Sequence, residues 1–157
     1  MIQVLISLIT LISYVLSVCK RWGVPESISQ TWFDIKRKWI FSVVVAVCLG
    51  LLMQPLMMVL PEIWQWLGFL MIGGGLLVAF APNLNDDMEE KVHMTGAVIM
   101  GVASQIIVVA LGLYPLLMMW TMGAYMMWQY KEKKVFVAEM IGGACLYLGV
   151  IIRLYMM

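Results

Sequence analysis

The chain's only histidine and four of its nine acids lie between residues 82 and 105, in P-N-L-N-D-D-M-E-E-K-V-H and the apolar run after it. Glu89 and Glu90 stand four and three residues before His93, so one helical face can present a carboxylate beside an imidazole. Asp86 lies a turn earlier and joins them if the helix begins near Asn85. A carboxylate fixes the tautomer of an imidazole and raises its basicity, which suits a general base or a metal ligand. The same acids also suit a helix start, where Asp86, Asp87, Glu89 and Glu90 complement the dipole and Asn85 or Asp86 caps the first turn.

Glu139 is the second candidate. It falls about one turn inside an apolar run, where an ionisable group is costly and usually faces a bundle interior. Its expected depth is close to that of His93, which makes a Glu139–His93 contact, with Glu89 or Glu90 nearby, the sharpest site the sequence offers. Snorkelling to Lys133 or Lys134 is the rival reading for Glu139. Ser27, Ser29 and Thr31 add hydroxyls on the same side of the membrane, Ser29 being a candidate for binding. A catalytic metal needs three protein ligands and an open position. With one histidine, carboxylates must supply the rest, so the cofactor such a site would take is a divalent metal ion harder than zinc. The chain has no G-x-S-x-G elbow, phosphate loop or thiol–histidine arrangement. Cys19, Cys48 and Cys145 match no metal or redox spacing and read as small packing residues, as do most of the sixteen methionines.

The elements that must hold these residues are membrane helices. The sequence of 157 residues is 64% hydrophobic and only 12% charged, about half the charge of a soluble domain. At ~20 residues per crossing, six spans nearly exhaust it and leave a single domain. The expected fold is therefore an all-α bundle of six transmembrane helices, over residues 1–19, 39–60, 63–81, 92–112, 114–128 and 135–155. The first lacks the basic start and cleavage site of a signal peptide and reads as a retained helix. Pro61 and Glu62 force a tight antiparallel hairpin, with Trp64 and Trp66 at aromatic-belt positions. Residues 25–38 read as an interfacial helix opening at Pro25, with Lys36, Arg37 and Lys38 meeting headgroups, or as a re-entrant piece.

Nine of the ten Lys and Arg (Lys20, Arg21, Lys36, Arg37, Lys38, Lys91, Lys131, Lys133 and Lys134) lie in the first, third and fifth connections, against Arg153 alone on the other side. By the positive-inside tendency both termini are expected outside the cytoplasm, with the acid–histidine stretch facing it and Arg153 snorkelling outward. The compact loops suggest a bacterial inner (plasma) membrane. Small residues with polar groups among them recur every fourth position as Ser42, Ala46, Gly50 and Gln54, and as His93, Ala97, Gly101 and Gln105. Gly73–Gly75 and Gly142–Gly143 extend the pattern to the third and last spans. Such faces let helices approach closely in lipid, within one chain or between copies of a homo-oligomer.

The segment P-E-S-I-S-Q-T-W-F after the first helix, then F-A-P and V-H-M-T-G-A, resembles small polytopic membrane proteins of bacteria and phages. These carry an S-x-S-x-x-aromatic-aromatic loop and a later acid-then-His helix. The pattern is also similar to the superfamily of alkaline ceramidases and progestin-receptor-like proteins, which implies a seven-helix fold and metal-dependent hydrolysis of lipid. The matching positions are Ser27, Ser29, an acid among Asp86–Glu90, and His93. The chain departs from that pattern in having no H-x-x-x-H in its last helix, so hydrolysis lacks its usual three-histidine zinc site.

These features lead to a small integral membrane protein whose cytoplasmic-side pocket binds a lipid headgroup, an ion or a small polar solute through His93, Glu89, Glu90, Asp86, Glu139 and Ser29. An oligomeric channel, transporter or pore-forming effector is the second expectation and a membrane-embedded lipid hydrolase the third. Membrane lipids are the expected partners and nucleic acid is not.

Overall fold

A computed structural model describes residues 1–29, 31, 39–81 and 86–157, and of Asp86 and Asp87 the backbone only. Among the described residues there are six α-helices and no strand. They are α1 (Ile2–Trp22), α2 (Trp39–Val59), α3 (Gln65–Phe80), α4 (Asp86–Ala110), α5 (Met119–Gln129) and α6 (Lys134–Met156). Five helical segments are long and apolar enough to cross a membrane: Ile2–Trp22, Trp39–Val59, Glu62–Phe80, Met88–Ala110 and Lys131–Met156. This is a multi-pass membrane protein.

The span expected over 114–128 is not a continuous long helix. It is a five-residue 3-10 segment, Tyr114–Met118, running into the eleven residues of α5. Pro115 near its start has no N–H to give, which suits a first turn. The segment also begins straight out of a turn at Gly112, whose φ of 70° closes α4. Gly23 ends α1 in the same left-handed manner, with φ 86° and its N–H donated to the Cys19 carbonyl at 3.0 Å. A side chain at either position would strain the backbone.

The helices alternate in direction. Gln3 donates to Gln54 at 3.0 Å and the Ser7 hydroxyl to the Cys48 carbonyl at 2.9 Å, which sets α1 antiparallel to α2. The Tyr147 hydroxyl lies 2.6 Å from Ser7 Oγ and ties α6 antiparallel to α1. Gln105 of α4 reaches the Gly142 carbonyl of α6 at 3.5 Å, and Arg153 reaches back to the Leu111 carbonyl at 2.7 Å, so α4 and α6 run parallel. Between them α5 runs the other way, with Gly123 against Ile141 and the Leu116 carbonyl accepting from Cys145 at 3.2 Å.

The backbones of α3 and α4 meet at a pair of glycines. A Cβ on Gly96 would lie 2.6 Å from the Gly74 carbonyl oxygen, and one on Gly74 would lie 2.8 Å from that of Gly96. No side-chain atom fits there. The stripe expected on α4 through Ala97 and Gly101 is thus displaced by one position on the helix. Gly101 has open space over it, as do Gly50, Gly73 and Gly143.

The main core, with Val4, Leu52, Leu56, Met71, Ile107 and Val150 fully or almost fully buried, fills the bundle between α1, α2, α3, α4 and α6. A second cluster around Tyr14, Val18, Phe41 and Val78 lies toward the basic end, with Ile28 and Phe136 packed against it. A third joins α4 and α6 to the 114–129 segment.

Candidate functional site at the basic end of the bundle

The chain does not continue as helix from Pro25. Residues 23–29 are irregular, and the expected interfacial helix over 25–38 lies mostly outside the described residues. What is described turns inward. Pro25, Ser29 and Thr31 are buried, although their neighbours Gly23, Val24 and Glu26 are exposed. Irregular backbone at membrane depth survives only where protein supplies partners for its amides and carbonyls, and here α6 supplies two. The Ile28 N–H donates to Glu139 Oε2 at 2.5 Å, and the Glu26 carbonyl accepts from the Phe136 N–H at 2.8 Å.

The second bond follows from helix geometry. The first N–H groups of a helix have no acceptor within it, and Phe136 lies in the first turn of α6, which starts at Lys134. The irregular segment therefore docks on a helix end with a spare donor and brings its own spare donor to a carboxylate one turn further in.

On the other flank the segment is held by α1. The Thr31 hydroxyl donates to the Ile28 carbonyl at 2.6 Å and lies 2.6 Å from the Tyr14 hydroxyl. A carbonyl only accepts, so the threonine proton is committed there and Tyr14 donates to Thr31 Oγ1. Ser27 and Ser29 hydroxyls lie 3.0 Å apart. Tyr14, Thr31, Ile28 and Glu139 thus form a polar chain from α1 through the irregular segment to α6, with both serines beside it.

His93 is elsewhere. Gln105 and Gly142 mark a common level on the parallel helices α4 and α6. His93 lies twelve residues before Gln105 and Glu139 three before Gly142, or ~18 and ~4.5 Å at 1.5 Å per residue. Taken from the Leu111–Arg153 level instead, the difference is smaller, so His93 is roughly 6–13 Å nearer the basic end. The expectation of equal depth fails because α4 begins well beyond α6 on that side. No hydrogen bond joins His93 to Glu139 or Ser29 among the described residues. The charged neighbour acting on His93 is Glu89, at the four-residue spacing seen in the sequence. Glu89 is half-buried and Glu90 exposed, while the Asp86 side chain lies outside the described residues.

The candidates therefore fall into two groups, Glu139 with Ser29 inside the bundle and His93 with Glu89 at its rim. Among the described residues no three His, Cys, Asp or Glu side chains gather as a metal site would need.

Two participants escaped the sequence reading. Tyr14 sits in an apolar helix with nothing in its spacing to distinguish it, and Ile28 contributes only a backbone amide, which leaves no trace in residue type. Thr31 was visible as a hydroxyl near the serines, but not its bond to α1. No protein family, characterised protein or solved structure matches this chain.

Proposed function

We propose that this chain is a six-crossing membrane protein whose polar cluster at the basic end, centred on Glu139, binds a small cationic or hydrogen-bond-donating ligand. That ligand is an ion, the headgroup of a lipid or a small polar solute. The observation that carries this reading is the Glu139–Ile28 bond. A carboxylate inside a membrane helix is expensive and tends to mark a site. This one is not turned out to Lys133 or Lys134. It holds an irregular segment in place with one oxygen, and Ser27 and Ser29 flank Ile28 in that segment.

Six crossings follow from directions as much as from lengths. Parallel helices α4 and α6 both leave the basic end, so residues 111–133 must return to it. The Tyr114–Met118 and Met119–Gln129 pieces rise ~10 and ~16 Å respectively. Together they come close to the ~30 Å hydrocarbon thickness. The basic connections then face the cytoplasm and both termini face away from it. A multi-pass protein of a bacterial inner membrane is the setting that accords with this.

The test uses purified chain in detergent, wild type and Glu139→Gln, with thermal unfolding followed in NaCl, KCl or MgCl2 at matched ionic strength and with added phosphatidylethanolamine. At least one of these should raise the midpoint of the wild type and leave that of the variant unmoved. Equal responses of the two proteins to every addition would sink the proposal.

A second reading, assembly into an oligomeric channel or transporter, draws on the open glycines Gly50, Gly73, Gly101 and Gly143. Small residues without internal partners are where a second copy's helices can approach. Flux of the same cations into vesicles, lost in Glu139→Gln, would favour it.

A further inference from the structure

At the opposite end of the bundle, Arg153 does not snorkel away from the protein. Its guanidinium turns back across the gap to α4, where Nε donates to the Leu111 carbonyl at 2.7 Å and Nη2 donates to the same oxygen. Leu111 directly follows α4, and its carbonyl is one that a helix end leaves without an intrahelical donor. A cation there also meets the negative end of the α4 dipole.

This cap occupies two of the five guanidinium N–H groups. No carboxylate lies within ion-pairing reach of Arg153 among the described residues. Arg153 is half-buried and lines a cleft of about 400 Å³ together with Met58, Leu60, Leu111, Met156 and Met157, whose side chains are apolar while their backbone adds polar wall. Clefts that hold small ligands run from ~300 to ~1,000 Å³. Arg153 lies three residues before the end of α6, about 4.5 Å below it. Trp64, Tyr114 and Tyr155 are exposed around the same end, as aromatic side chains are at the headgroup level.

A permanently charged fork with spare donors, no ion-paired carboxylate among the described residues and an interfacial depth describes one kind of ligand. We infer that the Arg153 cleft is a phosphate site, filled by the phosphate of a membrane phospholipid. Guanidinium is the side-chain group best matched to phosphate, through paired N–H donors. The interfacial depth favours a lipid over free phosphate, because that is the level at which phospholipid headgroups lie. This site stands apart from the Glu139 cluster and rests on none of its residues.

The full chain, purified in detergent, is titrated with short-chain phosphatidylglycerol, with the matching diacylglycerol and with inorganic phosphate. Bound lipid is counted by native mass spectrometry and thermal midpoints are read in parallel. Phosphatidylglycerol should bind and stabilise, and the phosphate-free diacylglycerol should not. Arg153→Gln should weaken phosphatidylglycerol binding on the order of tenfold, the scale of one charge-assisted contact. Because Arg153→Gln also removes the α4 cap, Met156→Glu is the companion variant. It places a carboxylate at the cleft without touching Leu111, so it should stay folded and still lose the lipid. Equal stabilisation by inorganic phosphate would support the phosphate chemistry and move its source to solution. Undiminished lipid binding in folded Met156→Glu or Arg153→Gln, or diacylglycerol binding as well as phosphatidylglycerol, would overturn the site.

Discussion

Tyr147 and Ser7 join the last helix of the bundle to the first, their hydroxyl oxygens 2.6 Å apart among buried residues. The Ser7 proton goes to the Cys48 carbonyl, so Tyr147 is the donor and Ser7 the hinge of a three-helix contact. Tyr147→Phe should therefore lower stability by about 0.5–1.5 kcal/mol, nearer the lower figure if lipid offers the unfolded chain other partners. Ser7→Ala should cost more, since it releases two bonds. A double-mutant cycle in reversible denaturant unfolding checks this: the two effects should fall short of adding, and strict additivity would mean the contact contributes nothing.

The irregular segment gives a separate prediction for Glu139. Removing its carboxylate with Glu139→Ala leaves the Ile28 N–H without an acceptor, at a cost of about 1–3 kcal/mol. Glu139→Gln keeps an oxygen at that position. Hydrogen exchange of a peptide covering residues 24–31 should quicken in Glu139→Ala and stay close to wild type in Glu139→Gln. If both variants exchange like the wild type, α6 does not hold the segment through this bond.

Gly74 and Gly96 should tolerate no side chain. Either one changed to Ala must push α3 and α4 apart, costing about 1–3 kcal/mol as overpacking does. Gly101→Ala is the control: its space is open, so it should change stability by no more than about 0.5 kcal/mol. Thermal midpoints of the three variants settle the matter. A Gly101→Ala loss as large as that of Gly96→Ala would mean a partner covers that face.

The return of α5 can be tested in cells with a membrane-impermeant maleimide on a background with Cys19, Cys48 and Cys145 replaced by Ala. Tyr114→Cys and Tyr130→Cys are exposed positions at the two ends of the segment. They should be labelled from opposite sides, Tyr130→Cys from the same side as Trp22→Cys. Labelling of both from one side would reduce the crossings to five.

The sequence by itself determined the five long apolar helices, which ends carry the basic charge and which carboxylate lies inside a span. Those properties are local: a run of ~20 apolar residues, a cluster of Lys and Arg, one acid out of place. The placing of Glu89 and His93 on one helical face was legible for the same reason, since four residues along one helix is a fixed distance.

Tertiary structure alone decided which helix faces pack and what each polar group reaches. A helix that is apolar on every side gives little periodicity from which to choose its buried face. Hence Gly96 rather than Gly101 meets α3, and the expected stripe was off by one position on the helix. Glu139 was assigned the wrong partner because relative depth depends on how far α4 and α6 slide past each other, which packing sets and composition does not. Its actual partner is the amide of Ile28, and every residue except proline carries such an amide. Arg153 likewise turned inward to a helix-end carbonyl that exists only once α4 has stopped beside it.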